Sequence, residues 1–162
     1  MKDRKREKIM SAEARLKERG IILPALPPPG GNYVPGMIHN GMLFLAGQGP
    51  VLEDGSLATG QVGKDVSISD AHFHARRTGL VLLSAARHVL GSLDKVERVI
   101  NVFGMVNAVP GFGQHPEVIN GCSELFIEVF GENGRHARAA VGMGSLPRNI
   151  SVEITAIFAV KP

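Results

Sequence analysis

Residues 136–160, HARAAVGMGSLPRNISVEITAIFAV, restrict the fold of this chain more than any other stretch. They predict two strands joined by a proline-containing turn, and nearly every residue in them is small or apolar. Each strand nevertheless carries a charge, Arg138 in the first and Glu153 in the second. Burying a charge in apolar β-structure is costly unless the charge is paired or binds a ligand. These two side chains are therefore the first candidates for a functional site.

The alternation of side chains along a strand places Arg138, Ala140 and Gly142 on one face, and Glu153 with Thr155 on one face of the second strand. If the strands are hairpin neighbours, Arg138 and Glu153 lie near opposite ends of one register. The small residues beside Arg138 leave room for a small ligand. Its planar guanidinium could hold a carboxylate through two parallel hydrogen bonds. On spacing alone, an internal Arg138–Glu153 ion pair is the favoured interpretation.

Local signals upstream predict further strands and two long helices. Asn40-Gly41 is a strong two-residue hairpin signal. Ser69 can cap a helix that Gly91 ends, and Pro116 suits the first turn of another helix. The predicted elements are strands at residues 32–39, 42–47 and 96–108, the two closing strands, and helices at residues 2–19, 69–90 and 116–130.

The predicted strand at residues 96–108 lacks clean alternation. Its apolar residues fall on both faces, Val99, Phe103 and Met105 on one and Ile100, Val102 and Val106 on the other. A strand that is apolar on both faces is buried on both, so one face needs helices and the other something else, such as a neighbouring subunit. The order of elements predicts an α+β domain, a mixed sheet with two helices packed on one face.

The 162 residues indicate a single domain with a substantial core. The prolines of residues 21–31, IILPALPPPGG, block helix and central strand. We therefore expect residues 1–30 to form a helical N-terminal extension and a Pro-rich linker, and residues 31–162 to form the domain. The lone Cys122, the absence of a secretory leader pattern and the absence of a membrane-length apolar run favour a cytoplasmic protein.

Other classes of site find little support in the sequence. His72 and His74 stand one residue apart on a predicted helix and face different directions, so no metal site is expected. No phosphate-binding glycine motif and no nucleophile elbow occur. Cys122 lies on an apolar helical stripe and is predicted to be a core residue. The basic N-terminus is more typical of a solvated helix than of a nucleic-acid contact.

Three ordered blocks resemble a known family. The pattern R-A-A-V-(x)4-L-P-(x)4-V-E-I-x-A-I at residues 138–157 resembles the closing signature of the reactive intermediate deaminase family, also called Rid or YjgF. The stretches NYVPG at residues 32–36 and LFLAGQGPV at residues 43–51 resemble its two opening blocks. The similarity covers about residues 31–160, in the right order.

The resemblance implies a chorismate-mutase-like α+β fold and a homotrimer whose sheets form an inner barrel. It implies active sites between adjacent subunits that hydrolyse enamines and imines of 2-keto acids, such as 2-aminoacrylate, to a 2-keto acid and ammonia. The expected enzyme is similar to a 2-iminobutanoate/2-iminopropanoate deaminase and uses no cofactor. Its expected ligand is a small 2-imino or 2-keto acid, with no membrane and no nucleic-acid partner.

The resemblance also assigns roles to residues. Arg138 matches the arginine that grips the substrate carboxylate, and Glu153 the glutamate that positions or activates water. Tyr33 matches a cleft tyrosine, Gly47 a backbone position facing the substrate, and Asn120 a pocket asparagine. Ala140 is expected in the pocket lining, where many members have Cys; Ala46 and Thr155 are further departures, standing where Ser and a second Glu are common.

Two other functions remain open at the level of the sequence. The same cleft could hold a small carboxylate without turnover, in a regulatory trimer. Family members have also been described as ribonucleases or translation inhibitors, for which the basic N-terminus is the only local support.

Overall fold

The computed structural model describes residues 10–162 of the chain. Three α-helices and five strands make up the domain, with short helical turns at residues 93–95, 131–134 and 147–149. In chain order they are α1 (Ala12–Glu18), β1 (Gly36–His39), β2 (Met42–Gln48), α2 (Ile68–Leu90), β3 (Val96–Asn107), α3 (His115–Phe130), β4 (Ala137–Met143) and β5 (Val152–Val160).

The strands form one mixed sheet in the order β1-β2-β5-β3-β4. All pairs are antiparallel except β3 with β4, which is parallel. The predicted hairpin between the two closing strands is therefore wrong, because β3 lies between them. The chain leaves β4 and crosses the end of β3 through the turn Pro147–Asn149, and β5 then pairs with both β2 and β3.

The helices α2 and α3 cover one face of the sheet, as the element order predicts. The cap of helix α2 lies two residues earlier than expected: it is Ser67, whose side chain accepts a hydrogen bond from the Asp70 amide, and not Ser69. Its predicted end is confirmed, since Gly91 caps it in the left-handed conformation. The two helices touch at Gly121, where an added Cβ would overlap the His72 carbonyl oxygen.

Strand β3 is buried on its helix side and half-covered on the other. Val99, Val102 and Val106 are buried against the helices, whereas Phe103 and Met105 are only partly covered. The prediction that Val99 shares a face with Phe103 is wrong, because a register irregularity between Val99 and Asn101 inverts the alternation. The face opposite the helices is an open apolar surface in the single chain.

The hairpin and its neighbours follow the sequence closely. Asn40 and Gly41 both have positive φ, as a tight two-residue turn requires. The first predicted strand is shorter than expected, since pairing begins only at Gly36, after Pro35. Strand β5 alternates as predicted, with Val152, Ile154, Ala156 and Phe158 buried in the core.

The N-terminal helix is shorter than predicted within the described residues, and residues 2–9 of that prediction lie outside them. Leu16 of α1 packs into the core cluster. Glu13 fixes the helix by accepting hydrogen bonds from Arg87 and from the Leu93 amide. The proline-rich stretch that follows has neither helix nor strand, as expected, and the Pro24 carbonyl accepts a hydrogen bond from Ser84 of α2.

Candidate functional site

Arg138 lies on β4, the edge strand, and points to the helix side of the sheet. Its Nη1 donates to Asn120 Oδ1 at 2.8 Å and to Ser123 Oγ at 3.1 Å, and its Nη2 donates to the Pro116 carbonyl at 3.4 Å. All three acceptors belong to α3. The first turns of α3 therefore set the orientation of the guanidinium, and they place Asn120 beside Arg138.

No carboxylate of the described residues neutralises the charge of Arg138. Among residues 10–162 its acceptors are neutral oxygens, and it forms no salt bridge there. Arginine has five N–H donors, so two of them, including Nε–H, keep no acceptor within the described part of the chain. A half-buried guanidinium with spare donors has the geometry to hold a carboxylate.

The ion pair between Arg138 and Glu153 does not form within one chain. In the sheet, Arg138 is opposite Val102, which faces the helices, whereas Glu153 is opposite Met105, which faces away from them. The two charges lie on opposite faces and two strands apart, roughly 10 Å across the sheet. The interpretation favoured by spacing alone is therefore wrong for the single subunit.

Glu153 lies against Gly47 on the open face of the sheet. Its carboxylate occupies the place where a Cβ at position 47 would lie, so only glycine fits there without displacing Glu153. Strand β2 bulges at this point, because Leu45 pairs with Ala156 while Gln48 pairs with Ile154. The bulge brings the β2 backbone beside the carboxylate, as bulges near functional sites often do.

Partial burial raises the pKa of Glu153 above the ordinary glutamate value. No salt bridge offsets this burial within the described residues. A carboxylate that loses hydration without gaining a cation becomes a better proton acceptor. Glu153 is therefore suited to general-base work or to the positioning of a water molecule.

Of the remaining residues, Tyr33 lies in the loop before β1, whereas Ala140 and Thr155 lie on these two surfaces. Tyr33 is 51% exposed, and its hydroxyl accepts a hydrogen bond from the Gly30 amide. Ala140 follows Arg138 on the helix-side face of β4 and is half-buried, while Thr155 follows Glu153 on the open face of β5. The structure thus brings together Arg138, Asn120 and Ala140, and separately Gly47 and Glu153.

Two residues that the sequence reasoning missed support Arg138. Ser123 accepts from the guanidinium and also contacts His136 Nε2 at 2.9 Å, while His136 Nδ1 lies 2.6 Å from the Gly134 carbonyl oxygen. Burial lowers the pKa of His136; the Gly134 carbonyl opposes this and Arg138 adds to it. Ser123 stands three residues after Asn120, a helical spacing that the sequence could have revealed.

The cysteine and the two histidines considered in the sequence make contacts within the fold. Cys122 is fully buried in the core, as predicted, and burial raises the pKa of its thiol. His72 pairs with Glu124 and His74 contacts Ser151, so the two histidines diverge as expected. Within residues 10–162, no group of three or more His, Cys, Asp or Glu side chains could hold a metal ion, and no helix is long and apolar enough to cross a membrane.

These features define a class of α+β protein with a mixed sheet, one helix-covered face, one open face and an edge-strand arginine that forms no salt bridge among residues 10–162. Residues 13–160 match a family model described as "YjgF/chorismate mutase-like, putative endoribonuclease". The chain belongs to this family. The resemblance of residues 31–160 to it is thereby confirmed.

Individual relatives are similar over most of the chain. Protein TCP17 of Trypanosoma cruzi is 39% identical over 145 residues, which cover 89% of this chain and 91% of the relative. The crystal structure of Atu1372 from Agrobacterium tumefaciens, a protein of unknown function, is 46% identical with a TM-score of 0.83, covering 93% and 94% of the two chains. A putative endoribonuclease from Shewanella oneidensis MR-1 is 29% identical with a TM-score of 0.89, covering 93% and 100%.

Proposed function

We propose that this protein is a hydrolytic deaminase of reactive enamines and imines of 2-keto acids. The observation that carries the proposal is the guanidinium of Arg138, which three neutral oxygens orient and which has no carboxylate partner among residues 10–162. Such a group suits a ligand that brings its own carboxylate. The 2-imino acids are the smallest substrates that combine a carboxylate with a hydrolysable C=N bond.

The anchoring step uses the two donors of Arg138 that have no acceptor among residues 10–162. The substrate carboxylate accepts from them, and Asn120 and Ser123 stop the guanidinium from turning away. Ala140 is the next residue on the same face and leaves space beside the anchor. Hydrogen bonds to a charged group contribute about 1.5–3 kcal/mol each, so the anchor can supply most of the affinity for a small acid.

The hydrolytic step requires water and a proton acceptor. Water adds to the iminium carbon, and the tetrahedral adduct collapses as the C–N bond breaks; R–C(=NH₂⁺)–COO⁻ and H₂O thus give R–CO–COO⁻ and NH₄⁺. Glu153, with its raised pKa, accepts a proton from the attacking water and returns it to the leaving nitrogen. An enamine such as 2-aminoacrylate enters the same route after tautomerising to its imine.

We further propose that two copies of the chain complete each site in a homotrimer. Arg138 and Glu153 lie on opposite faces of one sheet and cannot hold one small molecule within a single subunit. Arg138 sits on the edge strand β4, where a neighbour can approach, and the face carrying Glu153 and Gly47 is open and apolar. The anchor of one subunit would then meet the carboxylate, Gly47 and Tyr33 of the next.

The test is the release of keto acid from an imine generated in solution. A serine dehydratase supplies 2-aminoacrylate, and pyruvate formation is followed with and without the protein while semicarbazide traps unhydrolysed imine. We expect the protein to lower the amount of trapped imine. Unchanged trapping with imines from several amino acids would exclude deamination.

A carboxylate-binding protein without turnover is the second candidate, because the same geometry of Arg138 supports it. Calorimetry with pyruvate and with 2-oxobutanoate separates the two. Binding that requires Arg138, together with no effect on imine hydrolysis, would favour the regulatory function. Cleavage of single-stranded RNA that survives Arg138→Ala would instead favour the activity named for some relatives.

A further inference from the structure

A cavity lies between the end of β4 and the loop that precedes α3. Its volume is about 410 Å³. Polar and apolar groups line it in similar measure, and the lining includes Gln61, Phe112, His115 and Gly142. A space of this size exceeds what the methyl group of the smallest 2-imino acids would fill.

The cavity continues the face of β4 on which Arg138 lies. Arg138, Ala140 and Gly142 pair with Val102, Gly104 and Val106, residues on the helix side of β3, so the three share one face. Helix α3 also connects Arg138 to the cavity. The Pro116 carbonyl accepts a hydrogen bond from Arg138, and His115, which precedes Pro116, lines the cavity. A ligand anchored at Arg138 therefore has the cavity in front of it along the strand.

His115 is the polar group that the loop and α3 present to this space. Its Nε2 lies 2.6 Å from the place where a Cβ at Gly142 would be, so the imidazole rests directly on the strand backbone. Phe112 holds the ring edge-to-face, with centroids 5.0 Å apart. Neither ring nitrogen has a hydrogen-bond partner within residues 10–162. Gln61 donates its amide to the Ala108 carbonyl, and its Oε1 accepts no hydrogen bond from the described residues.

We propose that this cavity receives the side chain of the substrate and that His115 is a specificity-determining residue. The imidazole N–H donates to a hydrogen-bond acceptor at the end of that side chain, so the preferred ligands are 2-imino and 2-keto acids with a terminal carboxylate or amide. Gly142 is required because a side chain there would push the imidazole out of the cavity. The expected preference among imines rests on the proposed deaminase function. The expected preference among keto acids rests only on the anchoring of the ligand carboxylate by Arg138.

The catalytic experiment compares two imines. Glutamate oxidase and an alanine-oxidising enzyme generate the imines of glutamate and alanine, and semicarbazide trapping gives kcat/KM for each. His115→Phe keeps the aromatic contact with Phe112 but removes the donor. We expect the glutamate-to-alanine ratio of kcat/KM to fall about tenfold, the loss of one hydrogen bond. His88→Phe, at an exposed position on α2, is the matched control and should leave the ratio unchanged.

The binding experiment separates failure of the subsite from failure of the deaminase proposal. Calorimetry compares 2-oxoglutarate with 2-oxopentanoate, which has the same carbon chain but no distal acceptor. We expect wild type to prefer 2-oxoglutarate and both His115→Phe and Gly142→Ala to lose that preference, whether or not the protein turns over any imine. A preference that survives both substitutions, or a wild type with no preference, overturns the subsite and leaves the deaminase proposal standing.

Discussion

Arg138 and Glu153 lie on opposite faces of one sheet, with β3 between their strands. Each has its own support: three oxygens of α3 orient the arginine, and the bulge at Gly47 brings the β2 backbone against the carboxylate. Two pre-organised half-sites that face away from each other have a simple common explanation, which is that different copies of the chain bring them together.

Replacement of Arg138 should abolish the carboxylate anchor. We expect Arg138→Ala to lower kcat/KM for 2-aminoacrylate-derived imine by roughly 100-fold or more, since charge-assisted hydrogen bonds are lost. Arg138→Lys should also be poor, because one ammonium cannot replace a planar fork. Arg135→Ala removes an exposed arginine that pairs with Glu132 and should keep wild-type activity. Full activity of Arg138→Ala would contradict the assignment.

Gly47 should tolerate no side chain. In Gly47→Ala the new Cβ meets the Glu153 carboxylate and displaces it, so we expect kcat/KM to fall about as far as in Glu153→Gln. The double variant should lose little more than either single one, because both changes act on the same carboxylate. Gly113→Ala is the control, as a Cβ there meets nothing within 4 Å. Additive losses in the double variant would place Gly47 outside the function of Glu153.

The activity should depend on the ionisation of Glu153. Burial raises its pKa above the ordinary 4.5, so kcat/KM should decline on acidification at a higher pH than an exposed glutamate would produce. In Glu153→Gln the activity should be low at every pH, and this limb of the profile should vanish. The measurement is kcat/KM from pH 4 to pH 8. If kcat/KM of Glu153→Gln declined on acidification as in the wild type, the decline would belong to another titrating group.

The free energy of unfolding should also depend on the ionisation of Glu153, and the raised pKa sets the direction of that dependence. Since the folded-state pKa of Glu153 is raised, the native state binds more protons than the unfolded state between the two pKa values, and stability falls as pH rises. Relative to wild type, Glu153→Gln should therefore gain stability above the raised pKa and show less gain at lower pH. Thermal unfolding at pH 4 and pH 7 measures this difference. Glu132→Gln, at an exposed position, is the control and should show no such pH dependence.

The open face of the sheet should be required for association. Phe44 is 42% exposed on that face, paired with Ile157, and Phe44→Asp should convert a trimer into monomers in sedimentation experiments and reduce deaminase activity. Phe73 is 47% exposed on α2, outside the sheet, and Phe73→Asp should leave association intact. A monomeric wild-type protein that is active would refute the two-subunit site.

Features that depend on neighbours in sequence could be predicted well. The tight turn at Asn40-Gly41, the helix end at Gly91, the buried stripe of α3 around Cys122 and the alternation of β5 all follow from local geometry. Missed details, such as the cap at Ser67 instead of Ser69, are shifts within one helical turn. The support of Arg138 by Ser123 was also within reach, because it requires only the helical spacing from Asn120.

The sequence by itself determined which residues alternate, which segments form helices and that two charges stand in apolar strands. Only the tertiary structure decided how those strands are ordered. Adjacent strands in sequence need not pair, and the long apolar β3 takes the place between β4 and β5, pairing with β5 over residues 96–106 and with β4 over residues 101–107. That insertion separates Arg138 from Glu153, and the two face opposite ways because they pair with Val102 and Met105, which lie on opposite faces of β3. Pairing between distant segments is a property of the packed sheet, which local spacing cannot reveal.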